Sequence, residues 1–163
     1  MTKKYNSVLI IGMGLIGSSI SRALVENHVA NSVYGLDSDD NIIKKCHDLN
    51  LLVQGETNLN NFDLQFDLII ICTPLSAYKN IFSSLSDFIS QPTLITDVGS
   101  TKMSTISDFK NAVTNNNITF VPSHPIAGLE KSGPEYGFSK LFDNRYCILT
   151  PYEKNDAATS SIS

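Results

Sequence analysis

Tryptophan is absent from the 163 residues, cysteine occurs three times, and arginine only twice, at Arg22 and Arg145. Cysteines scattered at 46, 72 and 147 make neither a disulfide framework nor a metal-ligand spacing, which points to a reducing compartment and no bound metal. Cys72 and Cys147 lie inside apolar runs, LIIICTP and YCILTP, and are expected to be buried as small hydrophobes. A formal charge of −4 leaves no basic footprint for nucleic acid or an anionic membrane surface. Long apolar runs are missing too. The nearest is the uncharged stretch 5–21 behind Lys3 and Lys4, which superficially looks like a leader. Glycines and serines interrupt it, and it falls short of the roughly 20 apolar residues of a spanning helix. A strand, a glycine turn and a helix explain it better, and the expected location is cytoplasmic.

What is present suits one globular domain: 42% hydrophobic and 17% charged residues, enough chain to bury a core. Strand-length apolar runs at 7–11, 32–36, 67–72, 93–96, 119–121 and 146–149 alternate with segments of helical period at 15–27, 40–50, 76–88 and 103–114. That alternation predicts an α/β fold, a Rossmann-like doubly wound and mainly parallel sheet with helices on both faces. DLIIIC, nearly continuous in Leu and Ile, reads as a strand covered on both sides. In the first helix, Ile16, Ile20, Ala23 and Leu24 share one face, with Arg22 and Glu26 turned outward. Residues 58–63 and 115–117 read as loops. The long stretch 124–144 has no clean period, and loops of that length are usually functional or disordered. The expected sheet ends near Leu149, so residues 1–151 form the nucleotide-binding domain. Residues 152–163 (YEKNDAATSSIS) form a polar tail without a core-forming pattern.

The first strand runs straight into Gly12-Met13-Gly14-Leu15-Ile16-Gly17, which opens a helix. A second strand ends in Asp37, 37 − 17 = 20 residues past the last glycine. This is the spacing of a dinucleotide-binding fingerprint. Gly12 permits the tight turn, Gly14 lets backbone approach a pyrophosphate, and Gly17 lets helix pack on strand. The amides of Leu15 and Ile16 then lie at a helix N-terminus that favours anions, and Ser18 could add a hydroxyl. Asp37 should accept from the ribose hydroxyls and repel a 2′-phosphate. No arginine follows in Ser38-Asp39-Asp40, so NAD is favoured over NADP. The competing account is a structural turn, with Asp37 merely capping the next helix.

Thr73 and Pro74 end the third long strand, at the edge where ligands bind in such sheets. They either contact the cofactor or simply start a helix. Asp97-Val98-Gly99-Ser100-Thr101-Lys102 ends the fourth: Gly99 allows close approach, Ser100 and Thr101 offer hydroxyls, and Lys102 a positive charge, a helix cap being the alternative. Of three histidines, His28 ends a helix and His47 sits in a polar one. His124 directly follows a strand at the cofactor edge, and the rigid-then-flexible turn Pro125-Ile126-Ala127-Gly128 follows it. Imidazole titrates near neutrality, which makes His124 a candidate general base.

GMGLIGSS, DVGSTK and HPIAGLEKSG, in that order, resemble the prephenate/arogenate dehydrogenases of tyrosine biosynthesis over nearly the whole chain. The last motif discriminates most. The resemblance implies an NAD-dependent oxidative decarboxylation of a small-molecule substrate, prephenate or arogenate. It places His124 at the catalytic histidine, Ser100 at its partner serine, hydrogen-bonding the imidazole or the substrate hydroxyl, and Glu130 and Ser132 near the substrate entrance. It also implies a helical C-terminal domain that forms a homodimer and supplies basic groups for the substrate carboxylates; the 163 residues contain neither that domain nor a cluster of arginines. Two other functions fit the nucleotide motif alone. One is another β-hydroxyacid-type dehydrogenase or imino-acid reductase. The other is a module that binds NAD without turnover.

Overall fold

Val8 and Ile10 point to one side of a strand and Leu9 and Ile11 to the other, and all four are buried. Such a strand must be covered on both faces. In the computed structural model, which describes residues 4–152 and 156–162, it lies in the middle of a sheet. The elements run β1 (Tyr5–Ile11), α1 (Leu15–Glu26), β2 (Ala30–Leu36), α2 (Asp40–Asp48), β3 (Gln54–Glu56), β4 (Leu68–Ile71), α3 (Tyr78–Phe88), β5 (Thr93–Asp97), α4 (Lys102–Ala112) and β6 (Ile118–Val121). Then come β7 (Ser123–Pro125), β8 (Cys147–Leu149) and α5 (Asp156–Ile162). Six strands form one parallel sheet in the order β3-β2-β1-β4-β5-β6. The order reverses between β1 and β4, so the ends of those strands open a crevice at the carboxyl edge.

The alternation continues in β4. Ile69 and Ile71 join an aromatic cluster under α3 and α4 that includes Phe66, Phe82, Phe109 and Phe120. Leu68 and Ile70 face a smaller aliphatic cluster under α1 and α2. Each fully buried Phe or Leu contributes on the order of 1.5–3 kcal/mol, so both faces hold the sheet.

Several expectations are corrected. The strand expected over 146–149 does not extend the parallel sheet; β8 pairs antiparallel with β7 in a separate ribbon. In that two-stranded ribbon Cys147 is exposed, not buried, beside Tyr146 at 84% exposure. β3 has no apolar signature, because its three residues are half-buried on an edge. Within 58–63 lies a short 3-10 turn, Leu59–Asn61. The fully buried positions of α1 include Ser18, Ser19 and Ser21, while Ile16, Ile20, Ala23 and Leu24 are half-buried. The reason is that two 3-10 turns, Pro134–Tyr136 and Ser139–Phe142, lie against α1. A Cβ on Gly137 would come within 2.2 Å of Ser18 Oγ, so only glycine fits there. Arg22 does not point outward; its Nη1 donates to the Pro134 carbonyl at 3.1 Å. The polar tail is not featureless either: Tyr152 packs near Phe109 and Phe120, and Ile162 of α5 packs on the aliphatic cluster. Residues 153–155 and 163 of that tail, and Lys3 of the leader-like run, lie outside the described residues.

Candidate functional site

The carboxyl edge of the sheet carries, in spatial order, the glycine turn after β1, Thr73 after β4, Val98 and Gly99 after β5, and the β6–β7 junction leading to His124. At the first of these, Gly12 has φ +92°, and an added Cβ would meet the Cys72 carbonyl carbon at 2.8 Å. At Gly17 a Cβ would lie 2.1 Å from the Gly12 carbonyl oxygen. Gly14 is the opposite case: nothing lies within 4 Å of its Cβ position. The turn is therefore pressed against protein on two sides and open on the third. Gly14 is the N-cap of α1 and offers no capping side chain, so the first-turn amides at Leu15 and Ile16 are left for an outside acceptor. Ser18 is not available to one, because it is buried and its hydroxyl donates to the Leu15 carbonyl.

Asp37 does not cap α2. Asp39 does, accepting from Asn41 N at 2.9 Å. The Asp37 carboxylate accepts from Met13 N at 2.8 Å and from Asp39 N at 3.0 Å, which ties the end of β2 to the glycine turn. Two of its roughly four lone-pair sites stay available for hydroxyl donors. Gly12, Gly14, Asp37, Thr73 and Pro74 line one cleft of about 420 Å³. A neighbouring hollow of similar size continues from Leu36 and Ile81 along α3. Thr73 does not start the helix: a 3-10 turn, Leu75–Ala77, intervenes after Pro74. Its buried hydroxyl has no hydrogen-bond partner, and an orphaned buried donor beside an open glycine turn is what a polar ligand would satisfy. The residues present fit a dinucleotide.

At the other end, His124 Nδ1 lies 3.1 Å from the Val98 carbonyl oxygen. A carbonyl only accepts, so Nδ1 carries a proton, and in the neutral ring Nε2 presents the lone pair. Ser100 is exposed and is not the ring's partner, which leaves the substrate hydroxyl as its remaining expected role. Thr101 sits at the N-cap of α4 but its hydroxyl pairs with Ser104 at 3.1 Å and caps no amide. Lys102 is placed differently from expectation. Its ammonium reaches Asp97 Oδ2 and the Ser123 carbonyl, each at 2.6 Å, and its side chain is 13% exposed. Glu130 and Ser132 lie beside Gly14, Lys45 and Tyr136, at the rim of the glycine turn. The segment is anchored there by Lys45 on Glu135 at 2.8 Å, a pairing that holds the Glu135 carboxyl below its ordinary range.

Asp97, Val98 O and Ser123 were not singled out from the sequence. Asp97 reads there as the polar end of an apolar strand, and its only hint is a lysine five residues on. Among the described residues, no group of three or more His, Cys, Asp or Glu could hold a metal ion.

Strand order, glycine turn and the acid that ends β2 together define a dinucleotide-binding domain of Rossmann type. The family is narrower than that class. A family model described as prephenate dehydrogenase, nucleotide-binding domain, matches residues 20–162, and the chain belongs to this family. Cyclohexadienyl dehydrogenase from Zymomonas mobilis is 33% identical over 90% of the chain and 50% of its own length. Prephenate dehydrogenase from Bacillus subtilis is 32% identical over 96% of the chain and 42% of its own. The structure of prephenate dehydrogenase from Aquifex aeolicus in complex with hydroxyphenyl propionate and NAD+ superposes with a TM-score of 0.88 at 31% identity, over 99% of this chain and 55% of that one. The chain thus spans about half the length of these relatives.

Proposed function

We propose that this chain is the NAD-binding, proton-accepting half of a dehydrogenase that oxidises prephenate or arogenate with loss of carbon dioxide. The observation that carries the reading is the His124 ring, held through Nδ1 so that Nε2 is a bare acceptor on the cofactor edge. NAD bound at the glycine turn supplies the hydride acceptor. Gly14 and the first-turn amides cradle its phosphates on a turn that Gly12 and Gly17 allow to pack tightly, Asp37 takes the ribose hydroxyls, and Thr73 donates its free hydroxyl. With a carboxylate at 37 and acids at 39 and 40, a 2′-phosphate is repelled, so NAD is preferred to NADP. Nε2 of His124 takes the proton from the substrate's ring hydroxyl, and Ser100 hydrogen-bonds that hydroxyl. The carbon bearing that hydroxyl gives up its hydride, the ring carboxylate leaves as carbon dioxide, and the product is aromatic.

The relatives named prephenate and cyclohexadienyl dehydrogenase support this substrate class. So does the aromatic ligand named beside NAD+ in the Aquifex aeolicus complex. The complete protein is proposed as a cytoplasmic homodimer; among the described residues no helix is long and apolar enough to cross a membrane. The test is NADH formation with prephenate and arogenate in turn, with calorimetric NAD and NADP titrations alongside. His124→Asn in an active enzyme should lower turnover roughly a hundredfold or more while NAD affinity holds; ordinary turnover would remove the general-base assignment. NAD binding with no turnover of either substrate would favour the reading as a cofactor module.

A further inference from the structure

We propose that Asp97 and Lys102 are positioning residues that fix the tautomer and direction of the His124 ring. The inference rests on the reading of His124 as proton acceptor, and neither residue lines the dinucleotide cleft. Asp97 ends β5 and is 0% exposed. A carboxylate that deep is tolerated only when it is paired and its lone pairs are filled, and here they are. Oδ2 accepts from Lys102 Nζ at 2.6 Å and from Gly99 N at 3.0 Å, and Oδ1 accepts from Ser123 N at 3.0 Å.

The donors come from α4, β7 and the loop between β5 and α4, and Ser123 is gripped at every polar atom it has. Its amide donates to the Asp97 carboxylate, its hydroxyl donates to the Asp97 carbonyl at 2.5 Å, and its carbonyl accepts from Lys102 at 2.6 Å. The ammonium of Lys102 therefore bridges the start of α4, the end of β5 and the start of β7. His124 is the next residue, and its Nδ1 bonds to Val98, the residue after Asp97. Two consecutive residues leaving β5 hold two consecutive residues entering β7. At 3.1 Å the ring's bond is already at the long side of the usual range. A small slide of Ser123 would break it and release the ring to exchange tautomers, moving the acceptor lone pair away from Nε2. A positively charged side chain beside a nucleotide site reads most simply as a phosphate ligand. The geometry assigns this one to the histidine.

The experiment is nitrogen-15 NMR of the His124 ring in the chain, with His28 and His47 as internal references, paired with NAD titration. The variants are Lys102→Arg, Lys102→Met and the double substitution Asp97→Asn/Lys102→Met. The double variant leaves no unpaired buried charge, so it keeps the fold where the single one risks losing it. The wild type should show protonated Nδ1 and bare Nε2, and Lys102→Arg should keep that pattern. In Lys102→Met and in the double variant both ring resonances should move toward the Nε2–H form that a free imidazole prefers, while NAD affinity changes less than about twofold. Unchanged ring resonances in the folded double variant overturn the proposal. So does a roughly tenfold or greater loss of NAD affinity with unchanged resonances, which makes Lys102 a cofactor ligand. Failure of the general-base reading shows separately, as ordinary turnover of His124→Asn, which these resonances do not report.

Discussion

The turn after β1 and the turn after β5 sit two strands apart on one sheet edge and are built from opposite materials. The first uses backbone and missing side chains: three glycines, an uncapped helix, and a carboxylate that braces Met13 N. The second uses filled polar side chains: a fully buried carboxylate, a nearly buried ammonium and a serine with every polar atom bonded. The first leaves backbone amides open for a ligand, and the second spends Lys102, Ser123 and the Gly99 amide on the protein. One is a mould left open, and the other is a mount for an imidazole.

If that contrast is right, the two turns should break differently. The largest loss is expected from Asp97→Ala, which strands the Lys102 ammonium in a site 13% exposed. Removing one partner of a buried pair costs about 3–5 kcal/mol, so chemical denaturation should show a destabilised or unfolded chain. Combining it with Lys102→Met should recover much of that loss. Gly12→Ala comes next. The residue would have to hold φ +92° with its Cβ 2.8 Å from the Cys72 carbonyl carbon, a strain of about 1–3 kcal/mol. Here the loss should fall on dinucleotide affinity as well as on stability, whereas Asp97→Ala, where folded, should spare affinity. Equal effects on binding from both would erase the comparison.

The two turns also differ in how far the sequence discloses them. The first is a local pattern: glycine spacing, the strand before it and the acid 20 residues on all lie within one βαβ unit, and each glycine's steric reason is visible from its place. The second joins residues 97–102 to 123–124, and nothing in the spacing says that the lysine turns inward to an aspartate. Its residue types could be read but their partners could not. The same distinction explains β8 and Cys147. An apolar triplet is consistent with a buried strand, and only pairing with β7 away from the sheet exposes it. It explains α1 too, where Ser18 and Ser19 are buried because a segment more than a hundred residues away lies on them.

A smaller effect sharpens the mould. Thr73 Oγ1 is buried without a partner. Thr73→Val keeps the shape and deletes an unsatisfied group, so stability should hold or rise slightly, while NAD affinity falls by about 1 kcal/mol, the value of one hydrogen bond. Calorimetry and thermal melting on the same sample separate the two. Unchanged affinity would mean that the hydroxyl plays no part in holding the cofactor.

The smallest expected effect on either turn comes from the thiols, and it probes the mount from outside. Cys147 is exposed on β8, opposite Pro125 and one residue from the partner of His124. Cys46 is buried in the aliphatic cluster, and desolvation pushes its thiol up from 9.0 to about 11; burial also pushes up the half-buried Cys72. Because the thiolate is the reactive form, a disulfide reagent near neutral pH should modify one cysteine rapidly, and Cys147→Ser should abolish that fast phase with no change in stability. Mild alkalinity should not recruit Cys46, whose proton stays on until the pH approaches the raised value. A bulky label on Cys147 lies on the ribbon that carries His124 and away from the residues lining the glycine-turn cleft. Labelled protein should therefore bind NAD as before. A label that weakened NAD binding would show that mount and mould are mechanically one.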